Sequence, residues 1–598
     1  MRVGGNLHPE QRVSRVEGLS VARIAVIAAV ALSSAAGAET LPIGGKINKA
    51  ITANMTPDGI DFLLDQGLTL LPDQIAIPTI TGSQSCVFST LNYTVYQGPL
   101  TNGVNVNITS ATVTPHQGYF SLAISGAVAG TGTDVDGNGS THTFAVTRVE
   151  YSGCGTSCNN GEHAILRLLS TPFAVTTELD LTLIIDPITG EPTVEATTTL
   201  DRDDITLNMN GLDAAGCAAI DIIVAAVKGF ITDQVKDQII SMVNDTLLPA
   251  IEDGFSAVRF DDTISLAGAD VSIKVLPSAI DIRDNGVAVS MSSQMEALNP
   301  TTCVPIETGA GSVFTPGEPP SYGITSPGGS TYDAAASISD DFVNQALFSV
   351  WHAGLFCQEL KEMGGNPLTV EMLSLAGLAG PLNRIGVEDG APMTVVIKAY
   401  EAPTATFSDD PHVNLRLKTL EISIITMVHD RMARIVALDL TVDAGANILI
   451  DAANVLSIAL DLTPDDINGN VSYTEMINGE DADSLLALLP VIVGQFLPTL
   501  TDALPTIDLG SLAGVGLENP EFLAEQGFGG SPDDTLSAYT GLVATGACGV
   551  GGGGSGCGVG GGTGGCSMQG RGAATETGFL ALALCPLAVV LHRRRRAH

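Results

Sequence analysis

Basic and aromatic side chains are both scarce in this chain, and each shortage closes off a class of function. Lys and Arg number 26 against 65 Asp and Glu, a formal net charge of -39. Nine of the basic residues stand at the two ends: Arg2, Arg12, Arg15 and Arg23 precede residue 39, and Arg571 and Arg593 to Arg596 follow residue 566. Residues 39–566 are therefore left with 17 basic side chains against 62 acidic ones, about -45 in charge. A surface of that sign repels nucleic acid and anionic headgroups, which are bound through basic patches. Aromatics make up 5% of 598 residues, with Trp351 the one tryptophan, so the apolar material is mainly Ala, Val, Ile and Leu. Catalytic spacing is lacking too. The histidines of the body form no metal-ligand or nucleophile pattern, and Ser555 lies in glycine-rich low complexity, not in a nucleophile elbow. No enzyme is expected.

What is present begins with two addresses. "SVARIAVIAAVALSSAAGAET" has a basic approach, an apolar run and small residues, the pattern of a secretory signal cleaved after Ala38. At the other end a glycine-rich spacer runs through Cys566 to an apolar stretch, 578–591, and four arginines. That tail resembles the C-terminal sorting segments of myxobacterial-type surface proteins. The resemblance implies processing near Cys566, membrane contact through the C-terminal segment, and display on the cell surface. Of ten cysteines the body holds Cys86, Cys154, Cys158, Cys217, Cys303 and Cys357, which suits an oxidising compartment; their pairing is not fixed by the sequence. "CGTSC" at 154–158 lacks a second ligand pair and reads better as a disulfide than as a metal site.

Between the addresses the pattern repeats. Ile51, Met55, Ile60, Leu63, Leu64 and Leu68 suggest a helical stripe interrupted near Pro57. Residues 86–210 alternate or run β-branched between glycine and proline turns, as antiparallel strands do. A long helix is expected over 214–248, with Ile223, Val227, Ile231 and Val235 on one face, and strands over about 258–295. Residues 300–335, rich in Pro, Gly, Ser and Thr, read as a linker. Beyond it come a helix over 339–356, capped by Ser339 and striped by Phe342, Leu347, Val350 and Trp351, strands over 367–462, and a helix over 483–504 carrying Leu489, Val493 and Phe496. This is an α+β chain with an architectural duplication: signal 1–38, first half 39–299, linker 300–335, second half 336–530, glycine-rich spacer 531–577 and terminal anchor 578–598.

Three stretches carry a family resemblance: "NMTPDGIDFLLDQGLTLL" with its turn at Gly59, Ile60 and Asp61, "ISDDFVNQALFSVWHAGLF", and "LPVIVGQFLPTLTDALPTIDLGSL". In order and position they resemble the bactericidal/permeability-increasing protein and lipopolysaccharide-binding protein family of the tubular lipid-binding superfamily, over about 45–530. The resemblance implies a boomerang of two barrels joined by a central sheet, each barrel a highly curved antiparallel sheet wrapped on a long helix. It also implies apolar pockets for lipid acyl chains, lined here by Ile51, Met55, Leu63, Leu64, Ile223, Val227, Ile231, Val235, Phe342, Leu347, Val350, Trp351, Leu489, Val493 and Phe496. The family's endotoxin binders use a basic tip, whereas residues 39–300 hold ten basic side chains, so uncharged or zwitterionic lipid is the expected ligand.

No cofactor is expected beyond one calcium candidate. Asp134, Asp136 and Asn138 in "DVDGNGSTHTFA" match the first half of an EF-hand loop, but Ala145 stands where the bidentate glutamate belongs, and a hairpin turn explains the stretch as well. The leading expectation is an exported, surface-displayed lipid-binding protein or lipid carrier. The alternative is an acidic structural or adhesive surface module with filled barrels.

Overall fold

A computed structural model describes most of residues 39–544; residues 1–38 and 545–598 lie outside the description, as do 69–73, 187–191, 217–220, 253–259, 305–309, 487–506, 509–514, 526–533 and some shorter gaps. Antiparallel sheet dominates, with few helices. A seven-stranded central sheet joins the two halves in the order Phe260–Leu266, Ala269–Arg283, Gly286–Ala297, Lys46–Met55, Ala334–Ser339, Thr535–Ala544, Val515–Glu525. Its first four strands come from before the linker, the fifth begins at the linker's last residues, and the last two follow it. The seam is the pairing of Ile51 with Ile338 through Met55 with Ala334.

Two expectations are corrected here. Ile51 and Met55 belong to a central strand and not to a helix: they are four apart, an even spacing that puts them on one face of a strand as readily as of a helix. From Ala50 to Met55 the strand is buried without a break, Thr52 and Asn54 included, so both of its faces are covered. Thr535–Ala544, inside the segment read as spacer, is another buried strand of this sheet; Ala, Ser, Thr and Gly are small enough for its crowded interior.

Helix α1 (Pro57–Leu68) starts where proline is tolerated, and the Thr56 hydroxyl accepts from the Gly59 amide at 3.3 Å. A Cβ on Gly59 would fall 2.2 Å from the Asp333 carbonyl oxygen, so this contact between α1 and the end of the linker requires glycine. In the first half, two further sheets face each other. One contains Leu212–Ala215, Ala164–Leu168, Thr141–Gly153, Thr90–Val95 and Ile80–Ser85; the other contains Pro192–Thr198, Thr171–Ile185, Tyr119–Gly130 and Val104–His116. Helix α2 (Asp221–Met242) packs into the same core as both. It begins later than the sequence suggests, because Leu212–Ala215 is a strand.

Helix α3 (Asp340–His352) opens the second half, with the Ser339 hydroxyl accepting from the Phe342 amide at 3.2 Å as its cap. The second-half sheet runs Cys357–Leu360, Met393–Ala399, Val413–Val428, Arg431–Ile450, Val455–Asp461, Ile507–Asp508, with Ile467–Tyr473 also paired to Arg431–Ile450. The expected closing helix, 483–504, lies almost wholly outside the described residues, as do the signal and the tail. No described helix is long and apolar enough to cross a membrane.

The linker is tied down at both ends. Cys303 is disulfide-bonded to Cys357 across 54 residues of sequence, and Cys154 and Cys158 are disulfide-bonded as well. Tyr322 and Tyr332 are buried against Tyr539 of the central sheet, with ring centroids 6.4 and 4.9 Å away. Closing a loop of this length removes enough denatured-chain entropy that Cys303→Ala with Cys357→Ala should lower unfolding free energy by about 4 kcal/mol in urea titrations.

Candidate functional site

Of the apolar residues singled out in the first half, Val227, Ile231 and Val235 lie in a packed core. On α2, Val227, Ile231, Val235 and Ile239 are 0–1% exposed, a stripe at helical spacing. They pack with Leu91, Leu122, Ile124, Leu166 and Leu168 from the two facing sheets. The side chains of Leu63, Leu64 and Ile223 lie outside the described residues. Ile51 and Met55 are buried in two different clusters, beside α3 and beside α1.

Helix α3 is enclosed on its polar side as well as its apolar one. Phe342 and Val350 join the core of the central sheet, Leu347 is half-buried, and Trp351 packs with Val304, Phe348 and Ala399. The Trp351 indole N–H donates to the Ala399 carbonyl at 2.9 Å. Asn344 forms a pair of bonds with the Ala405 backbone, its amide donating at 3.2 Å and its oxygen accepting at 2.7 Å. Gln345 accepts from the Ser293 hydroxyl at 3.1 Å and donates to the Gly45 carbonyl at 2.7 Å. A cavity beside Phe348, Ser349 and His352 holds about 10 Å³. That is room for about one water and far below the roughly 300–1,000 Å³ of ligand pockets. Trp351 is thus a joint between helix, linker and second sheet.

The second-half sheet differs. Across three strands Ile422 pairs with Leu438 and Leu438 with Val471, while Leu420 pairs with Leu440 and Val395 with Ile424. Residues opposite one another share a face, so these side chains make one apolar surface. Leu438, Leu440 and Ile424 are buried, yet Val395, Leu420, Ile422, Ile467 and Val471 stay half-buried. Leu486 rests on the same cluster, and Gly469 beside it leaves the sheet low, a Cβ there falling 2.4 Å from Leu440. None of these residues was singled out from the sequence. The signal was the alternation of "LEISIITMV", which does not tell a covered face from a half-covered one. Leu489, Val493 and Phe496 lie outside the described residues.

The calcium candidates sit at a hairpin between the strands Gly132–Val135 and Thr141–Gly153. Both Asp134 oxygens accept from Arg148, at 2.8 and 2.9 Å, which holds that carboxyl below the usual range. One Asp136 oxygen accepts from the amides of Asn138 and Ser140 at 2.9 Å, and the other meets the His142 ring at 2.9 Å, the contact that chiefly lowers its pKa. Asn138 supplies its backbone to this turn. Among the described residues no group of three or more His, Cys, Asp or Glu is placed to hold a metal.

A second charged feature lies at the seam. Asp341, 2% exposed, accepts from the Thr315 amide at 2.8 Å, and the Asp340 amide donates to the Asp534 carbonyl at 2.9 Å. Burial raises the pKa of Asp340 to about 6 and that of Asp341 to about 7, and the neighbouring carboxylates add to both.

No family model matches the chain, and no curated protein matches its sequence. Among solved structures, a crystal structure of lipopolysaccharide binding protein is similar with a TM-score of 0.41 and 13% identity, over 83% of this chain and 100% of that one. The crystal structure of P47 of Clostridium botulinum E1 has a TM-score of 0.24 and 9% identity, over 84% of this chain and 100% of that one. Both likenesses are distant.

Proposed function

We propose that the chain is an exported lipid-binding protein that holds the acyl chains of an uncharged or zwitterionic lipid against the second-half sheet. The observation that carries this reading is the half-buried apolar face of Val395, Leu420, Ile422, Ile467 and Val471. Each methylene removed from water there contributes about 0.8 kcal/mol, so one acyl chain suffices for firm binding without a charged headgroup contact. The disulfide Cys303–Cys357 and the bonded Cys154 and Cys158 support export to an oxidising compartment, and the tail supports surface display. The acidic body disfavours anionic headgroups.

A structural or adhesive module is the second reading, and the filled first-half core favours it for that half. Native mass spectrometry of the intact purified chain distinguishes them: co-purified lipid is the expected result. Ile422→Asp should weaken binding of a fluorescent fatty acid more than about tenfold, because a carboxylate would replace apolar area at the centre of the face. A lipid-free protein that ignores the probe would leave the structural reading alone.

A further inference from the structure

From a separate groove on the outer surface of the first half, we infer a binding site for a neutral saccharide. The groove has a volume of about 380 Å³ and is lined by His116, Tyr119, Ser121, Thr176, Thr177, Glu178, Thr199 and Asp204. Its floor is the outward face of two paired strands, where Ser121 stands opposite Glu178. One wall is an aromatic pair: the His116 and Tyr119 rings are stacked with centroids 5.0 Å apart and 28° between their planes. The other wall is the loop carrying Thr199 and Asp204.

Both walls are fixed before any ligand arrives. The tight turn between His116 and Tyr119 uses Gly118 at φ +94°, and the Gly118 amide donates to the Ile282 carbonyl of the central sheet at 3.0 Å. The opposite loop is held to α2: Arg202 pairs with Asp237 and lies 3.6 Å from Asp233, and Lys236 donates to the Arg202 carbonyl at 2.7 Å. Asp204 accepts from the Asp201 amide at 2.9 Å, and its own carbonyl from Thr176 at 3.4 Å. Walls held in this way lose little entropy on binding.

The lining selects the chemistry. No Lys or Arg lines the groove, and the body around it is acidic, so an anion is disfavoured. Two carboxylates accept hydrogen bonds, the hydroxyls of Ser121, Thr176 and Thr199 and the phenol both donate and accept, and a ring face covers C–H bonds, while Thr177 faces the core. A pyranose matches that set, with a rim of hydroxyls and an apolar C–H face. A quaternary ammonium would also find an acidic aromatic wall, but it would want several ring faces around it, and a stacked pair offers few.

The test is saturation-transfer NMR on the intact chain against neutral oligosaccharides, with tetramethylammonium as the competing probe. Saturable binding below about 10 mM is expected, weakened about tenfold or more by Tyr119→Ala and clearly by Glu178→Gln, with the melting midpoint unchanged in both. Thr176→Trp, which fills the groove without removing a wall, should abolish it. Binding that survives Tyr119→Ala and Thr176→Trp, displacement by tetramethylammonium instead of sugar, or no saturable binding at about 10 mM would each overturn the inference.

Discussion

Raising the pH from 5 to 8 should lower the unfolding free energy by about 2–4 kcal/mol, and Asp341→Asn should remove most of that loss. Asp340 and Asp341 have folded-state pKa values raised from 3.8 to about 6 and about 7, chiefly by burial. A raised value means that the folded state holds its proton more tightly than the unfolded one. Their contribution is complete below about pH 3.8 and is lost as pH climbs through 6 and 7. Both residues lie in the first turn of α3, where the helix dipole favours the ionised form by about 0.3–1 kcal/mol; burial beside Asp534 outweighs that.

Other groups act in known directions. Glu525, raised by burial, adds to the loss on the alkaline side. His352, whose pKa burial lowers, opposes it, since its neutral form is favoured and acid must charge it. Asp134, Asp136 and Asp237 are lowered by their partners, so their share falls away only in stronger acid. Comparison of the variant with the parent isolates Asp341. Asparagine keeps the acceptor for the Thr315 amide, so Asp341→Asn should be more stable than the parent by about 2 kcal/mol at pH 8 and nearly equal to it at pH 5. Urea midpoints that shift equally with pH in both proteins would rule out this role.

The same helix shows how far the sequence could be read. Its existence, cap and apolar stripe were legible, because Ser339 and the three- and four-residue spacing of Phe342, Ala346, Leu347, Val350 and Trp351 are local signals. That Asn344, Gln345 and Asp341 would be buried was not legible, since their partners at Ala405, Ser293, Gly45 and Thr315 are distant in sequence. The partner of Cys303 was unreadable for the same reason. The spacing of Ile51 and Met55 suits a helix and a strand equally, and the small residues of Thr535–Ala544 mark a crowded strand and a flexible linker alike. Whether an apolar stripe fills a core or lines a pocket lies beyond periodicity altogether: Ile231 and Ile422 are equally apolar, and what covers them decides the difference.

That difference sets the second large effect. Ile231→Ala should cost about 4 kcal/mol, because the side chain is 0% exposed and its neighbours come from two sheets that cannot both collapse onto the space left. Ile422→Ala should cost only about 1 kcal/mol, since a half-buried side chain leaves less area and no closed cavity behind. Ligand binding should respond in the opposite order. Ile231 packs in the first-half core, so its truncation should leave the affinity for a fluorescent fatty acid unchanged at temperatures where the protein stays folded. Ile422 stands on the proposed binding face, and its truncation should weaken that affinity several-fold, as expected when contact equivalent to about one methylene is withdrawn from an acyl chain. Denaturant titration and probe titration on the two variants measure both quantities. If Ile231→Ala were the variant that lost the probe, the ligand would belong between α2 and its sheets, and the second-half face would be only an under-covered part of the core.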